Sequence, residues 1–184
     1  MVRRAATLLG ALAMIAAMPA HANGLSATAN GEAQAEVVIP LVATREADLE
    51  FGTIFASATA GSVTVHASGQ LTYFAGAQPA CIQGACSSAH PARFTVVGER
   101  GRSYTISTPA AVSADGILAS GGAAAPLEVD AITVRSDSRP SAGNTGTLDS
   151  TGHDAFQVGG TLIVPAGLPS ASYRATLPVI VAYS

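Results

Sequence analysis

From Leu25 to Ala43 every odd-numbered residue is apolar or glycine: Leu25, Ala27, Ala29, Gly31, Ala33, Ala35, Val37, Ile39, Leu41 and Ala43. The even positions through Glu36 are Ser, Thr, Asn, Glu, Gln and Glu. A period of two puts alternate side chains on opposite faces of an extended chain, so the pattern predicts β-structure. The run is too long for one ordinary strand, and Gly31 and Pro40 are its natural break points. It reads as an extended N-terminal arm over about 23–31, followed by a first strand over about 32–39. The same parity continues through Ala47, Leu49 and Phe51. Asp48 and Glu50 then fall on the opposite, solvated face, and their spacing reflects strand geometry, not a catalytic or calcium-binding pair.

Further short runs follow at close spacing: SVTVHA, QLTYFA, ARFTVVG, RSYTIST, GILAS, LEVDAITVRS, DAFQVGGTLIVPAG and ASYRATLPVIVAYS. Short strands divided by Gly, Pro and Ser clusters predict an all-β sandwich in a single domain, with no helix longer than a turn. Gly159-Gly160, between two alternating runs, predicts a hairpin turn. Residues 136–154 form the one long polar stretch and read as a surface loop. The closing run alternates through Tyr173, Ala175, Leu177, Val179, Val181 and Tyr183. Pro178 cannot donate a ladder hydrogen bond, so this run predicts an edge strand or a bulge. An apolar edge strand at one end of the chain and an alternating arm at the other are the parts that β-strand addition needs.

The first 22 residues change the picture of where the chain works. Arg3 and Arg4 precede the apolar run AATLLGALAMIAAMPA, and AHA ends at Ala22. That order is a secretory signal peptide, with an apolar core too short to span a bilayer readily. It predicts a mature chain over 23–184, exported to the periplasm, cell surface or medium, with no membrane span. The chain has no lysine, and the mature part sets seven arginines against twelve acids. With no basic stripe to neutralise phosphates, nucleic acid is an unsuitable partner. Cys81 and Cys86, in CIQGAC, are the only cysteines and read in an exported chain as a local disulfide. The alternative, a redox or metal pair, lacks the further ligands that zinc needs.

No GxSxG, HExxH or phosphate-cradling glycine loop occurs. His66 continues a strand face, His90 precedes Pro91, and His153 adjoins Asp154, whose side chain in a strand points the opposite way. No catalytic residue, cofactor or metal is therefore expected. Calcium is the better small-ligand option, because Asp130, Asp137, Asn144, Asp149 and Asp154 gather around the long polar stretch. Their spacing fits no EF-hand, and Asp and Asn are ordinary turn formers. A glycan platform is poorly supplied: there is no Trp, and Tyr73-Phe74 is the main aromatic pair.

The blocks ADLEFGTI, GSVTV, FTVVG, YTIST, VGGTLIV and YRATLPVIVAYS, spread over nearly the whole mature chain, resemble a bacterial secreted family known only as domain of unknown function 4402. The resemblance implies an immunoglobulin-like, pilin-like β-sandwich related to spore-coat-U-like surface proteins, acting at the cell surface in pili, adhesion or biofilm without enzymatic activity. Asp48 to Gly52 matches the family's acidic-apolar-acidic-Phe-Gly block, and Tyr183 resembles the near-terminal aromatic of chaperone-usher pilins. Pro178 and Ala171 depart from the pilin pattern, which prefers a Thr/Val-rich last strand and a glycine near position 171. The expectation is a non-catalytic surface subunit assembling by strand addition. Its donor arm would be Leu25, Ala27, Ala29, Ala33 and Ala35. Its partners would be copies of itself, related surface subunits or a periplasmic chaperone. The alternative is a monomeric binding module that uses 136–154 for a ligand or calcium.

Overall fold

The computed structural model describes residues 29–55, 57–80 and 88–184, and the chain divides into two units, Met1–Glu36 and Val37–Ser184. In the first unit the described residues, 29–36, carry no strand and are exposed. The first strand expected at 32–39 is therefore absent, and the chain enters a sheet only after Pro40. A run of Ala, Gly and short polar residues has little side chain with which to hold itself on a sheet face.

Among its described residues the second unit is all β, with thirteen strands in chain order: β1 (Val42–Ala47), β2 (Ile54–Phe55), β3 (Gly61–Val65), β4 (Leu71–Ala75), β5 (Gln78–Pro79), β6 (Ala92–Val97), β7 (Ser103–Ser107), β8 (Val112–Leu118), β9 (Ala123–Ser136), β10 (Thr145–Thr147), β11 (His153–Val164), β12 (Ala171–Arg174) and β13 (Ile180–Tyr183). All pairings are antiparallel. The main sheet runs β1-β6-β11-β9-β8-β12, with β3 and β4 added beside β11. A second sheet runs β10-β7-β13, and β2-β5 is a short ribbon.

The branch in the main sheet sits where a hairpin was expected. Gly159 and Gly160 lie inside β11, which pairs with β6 up to Val158 and with β3 from Gly160 onward. Neither glycine has positive φ. A Cβ on Gly159 would stand 2.2 Å from the Val65 carbonyl oxygen and 2.5 Å from the Ala67 nitrogen. The glycine serves close backbone approach at the fork, not a turn. Opposite it, the β9–β11 register shifts between Gly159 and Thr161, and Ala131 takes φ 46°, a bulge that bends the two long strands together.

Two apolar clusters follow from this bend. One gathers Val63, Leu127, Val129, Leu162 and Val164, with Tyr73 and Tyr173 packed on it. The other joins the main sheet to the second sheet through Val96, Tyr104, Ile106, Leu148, Phe156 and Val158, which gives the layered, sandwich-like arrangement. Phe94 stacks on Phe156 at 5.0 Å between ring centroids. Leu49 packs against both clusters.

Candidate functional site

Most of the polar residues singled out in the sequence make hydrogen bonds or ion pairs within their own chain. Asp48 is exposed and accepts a hydrogen bond from Arg45 at 2.6 Å. Glu50 is exposed and forms an isolated two-way backbone bridge with His90, while Leu49 and Phe51 pack into the core. His66 meets the Thr72 hydroxyl at 3.1 Å, and His90 Nδ1 lies 3.2 Å from the Pro91 carbonyl. Neither histidine is set against an acid and a nucleophile as a catalytic triad requires.

Residues 136–154 are less loop-like than their polarity suggests. They include β10 and the buried residues Ser136 and Leu148. The Ser136 hydroxyl donates to the Thr145 carbonyl at 2.7 Å. Asp154 accepts from Tyr104 Oη at 2.9 Å, from the Ala155 N–H at 2.8 Å and from both the N–H and the hydroxyl of Ser138. Burial pushes the Tyr104 phenol well above its ordinary range, and its bond to the Asp154 carboxylate adds to the shift. Asp149 accepts from the Thr151 N–H and hydroxyl, each at 2.7 Å, and from the His153 N–H at 3.0 Å. The His153 backbone donor, then the Thr151 hydroxyl, hold its carboxyl down to about 2.

Asp137 is spent on Arg93, which also reaches Glu46, at 3.2 and 3.1 Å. Asp130 faces Thr161 in the β9–β11 ladder, and the Asn144 carbonyl accepts from the Ile106 N–H. The five residues considered for calcium are thus dispersed. Among the described residues, no group of three or more His, Cys, Asp or Glu is placed to hold a metal ion. Asp and Asn here close turns and tie elements together, which is the ordinary use of their short acceptors.

The C-terminal run is not one strand. Tyr173 lies in β12, an edge of the main sheet, whereas Val181 and Tyr183 lie in β13, an edge of the second sheet. Residues 175–179, around Pro178, cross between the sheets without ladder bonds, as a missing N–H dictates. Leu177, Val179, Val181 and Tyr183 pack on the second cluster and Tyr173 on the first. One parity therefore serves two sheets.

Tyr183 anchors the segment where the chain enters the fold. Its hydroxyl accepts from the Glu99 N–H at 2.6 Å and donates to the Ile39 carbonyl at 2.7 Å, while Glu99 Oε2 accepts from the Ile39 N–H at 3.1 Å. The Arg102 guanidinium lies 5.5 Å from the centre of the Tyr183 ring. Gly98 makes room: a Cβ there would stand 2.3 Å from the tyrosine oxygen. Just before this clamp, Val37 is 94% exposed.

Of the arm residues, Ala29, Ala33 and Ala35 are exposed and outside any strand. Leu25, Ala27, Cys81 and Cys86 lie outside the described residues. Sequence reading missed the roles of Glu99 and Ile39, and it missed an uncovered stretch of β9. β8 pairs with β9 only from Ala123 to Val129, whereas β9 continues to Ser136. The apolar phase slips from Leu127 and Val129 to Ile132 and Val134, a signal of the bulge that carries β9 past its neighbour.

No helix among the described residues is long and apolar enough to cross a membrane. Neither the curated proteins nor the solved structures contain a match to this chain. A family model does match, over residues 41–183, and spans every strand from β1 to β13. By that match the chain belongs to the family described as domain of unknown function DUF4402.

Proposed function

We propose that the protein is an exported, non-catalytic surface or pilus-like subunit with an immunoglobulin-like sandwich, which assembles by β-strand addition and serves adhesion or biofilm. The observation that carries this reading is an alternating segment, residues 29–36, outside any strand, joined to a fold whose entry point is clamped at Ile39. A segment with strand periodicity and no ladder is a donor in search of an edge. Among the described residues the main sheet ends in β1, in β12 and, on its branch, in β4. β1 is blunted by Arg45, Glu46 and a bulge between Arg45 and Ala47, the usual protection against unwanted pairing.

Alanine side chains remove little apolar area from water, so at about 25 cal/mol per Å² the arm holds its partner weakly. Assembly is then concentration-dependent. The monomeric binding module has less support, because Asp137, Asp149 and Asp154 already bind their own chain. The test is light scattering coupled to size exclusion over a concentration series, on the purified protein and on a version starting at Glu36. Oligomers that vanish with the arm support the reading, and equal masses for both versions overturn it.

A further inference from the structure

We infer that the cleft beside Phe55 and Gln78 is a binding site for neutral carbohydrate. The inference rests on the adhesion part of the proposed function and names what is gripped. It does not depend on strand addition, because every lining residue belongs to the Val37–Ser184 unit.

Strand parity builds the site. In the β2–β5 ribbon Ile54 stands opposite Pro79 and Phe55 opposite Gln78. Ile54 packs on the first apolar cluster, so Phe55 turns outward, where it is 57% exposed. Directly opposed residues share a face, which sets the ring beside the Gln78 side chain. The same parity divides Tyr73-Phe74: Tyr73 packs on the first cluster, and Phe74, one residue before Ala75, is exposed. Composition alone supplies few aromatics, but the fold brings an open ring to a cleft.

That cleft is shallow and open, with a volume of about 430 Å³, and is lined among the described residues by Phe55, Ser57, Thr59, Ala75, Gly76 and Gln78. Small-molecule sites hold roughly 300–1,000 Å³. Backbone bonds fix its frame. The Gly76 N–H donates to the Ala60 carbonyl and the Ala77 N–H to the Phe74 carbonyl, each at 3.2 Å, and the Gly167 N–H donates to the Ser57 carbonyl at 2.7 Å. A Cβ on Gly76 would collide with the Thr59 carbonyl, so the two segments touch along their main chains. The frame is preformed, and a ligand does not have to order it.

The lining selects the ligand class. Among the described residues no acid, arginine or histidine lines the cleft, so a charged ligand would shed water without gaining a counter-charge. A wholly apolar ligand would cover three polar side chains and leave them unpaired. A sugar ring matches both halves: its C–H face covers the Phe55 ring, and its hydroxyls donate and accept. The Ser57 and Thr59 hydroxyls and the Gln78 amide also do both. Ser57 Oγ accepts from the Thr59 N–H at 3.1 Å and keeps its own proton to donate. Gln78 Nε2 reaches the Ala75 carbonyl only at 3.4 Å, and its Oε1 has no partner among the described residues. A shallow site grips one sugar weakly, and a surface that repeats the subunit multiplies the grip.

The test applies the purified protein to an array of neutral and acidic oligosaccharides, then titrates a bound neutral one into isotope-labelled protein followed by amide chemical shifts. The expected result is binding of a neutral oligosaccharide, with shifts confined to the cleft residues. Phe55→Ala should weaken that binding about tenfold or more at an unchanged urea midpoint. Should Phe55→Ala fail to fold, Gln78→Ala at an exposed position decides, with a severalfold loss expected. Binding of acidic glycans alone, binding of none, or full-strength binding by the folded variant overturns the site. Light scattering on the same samples separates the two readings. A monomer that binds through the cleft sustains the site and overturns strand addition, and oligomers that bind no glycan do the reverse.

Discussion

Replacing Tyr183 with Phe tests the clamp at the base of the arm. The substitution keeps the ring that packs on the second cluster and lies under Arg102, and it removes only the hydroxyl. That oxygen makes two bonds to main chain, 2.6 Å from the Glu99 nitrogen and 2.7 Å from the Ile39 carbonyl. A hydrogen bond contributes about 0.5–1.5 kcal/mol net, and a buried donor left without a partner costs more. The Glu99 N–H is part-buried and stands at the upper end, whereas the exposed Ile39 carbonyl recovers water and stands at the lower end. Together they give about 2 kcal/mol. Urea unfolding should move its midpoint down by about 1 M at unchanged slope, given a slope of about 1–3 kcal/mol per M. Limited proteolysis near Val37–Leu41 should accelerate in parallel. A loss below about 0.5 kcal/mol, within the range of neutral surface changes, would refute the clamp.

Three other perturbations follow from the same structure. Asp149, with its folded pKa lowered from 3.8 to about 2, contributes stability above pH 4 that is lost as pH falls through about 2. The thermal midpoint of wild type should therefore exceed that of Asp149→Asn at pH 6 and converge on it near pH 2. Gly159→Ala forces a Cβ against the Val65 carbonyl at the sheet fork and should cost about 2 kcal/mol or more in chemical denaturation. The double change Asp48→Ser and Glu50→Ser touches only exposed groups, so the unfolding free energy should stay within about 1 kcal/mol of wild type, and collapse of the purified domain would contradict their solvated role.

Much of the sheet was legible because burial on one face writes a period of two into the chain. SVTV, FTVV, SYTI and the run from His153 to Val164 all alternate or are continuously apolar, and all are strands. Periodicity records faces, not partners, and the discrepancies arise there. Residues 29–36 alternate yet stand in no strand, since alternation alone supplies no edge to pair with. The closing run keeps one parity from Tyr173 to Tyr183 while changing sheets around Pro178, with Tyr173 turned into the first apolar cluster and Leu177, Val179, Val181 and Tyr183 into the second. Gly159-Gly160 resembles a turn from its composition, but its role depends on Val65 and Ala67, almost a hundred residues away in the chain. The polar stretch 136–154 hides its buried positions because most of them, Ser136, Gly146 and Gly152, are not large apolar residues and so add nothing to a hydrophobic period.

The most direct measurement of the central claim is sedimentation of the purified protein over a concentration series beside the version that starts at Glu36. Strand addition through the arm predicts oligomers that grow with concentration in the intact protein and monomers of the shortened version over the same range. Equal sizes for the two versions, or oligomers that persist without the arm, would contradict it.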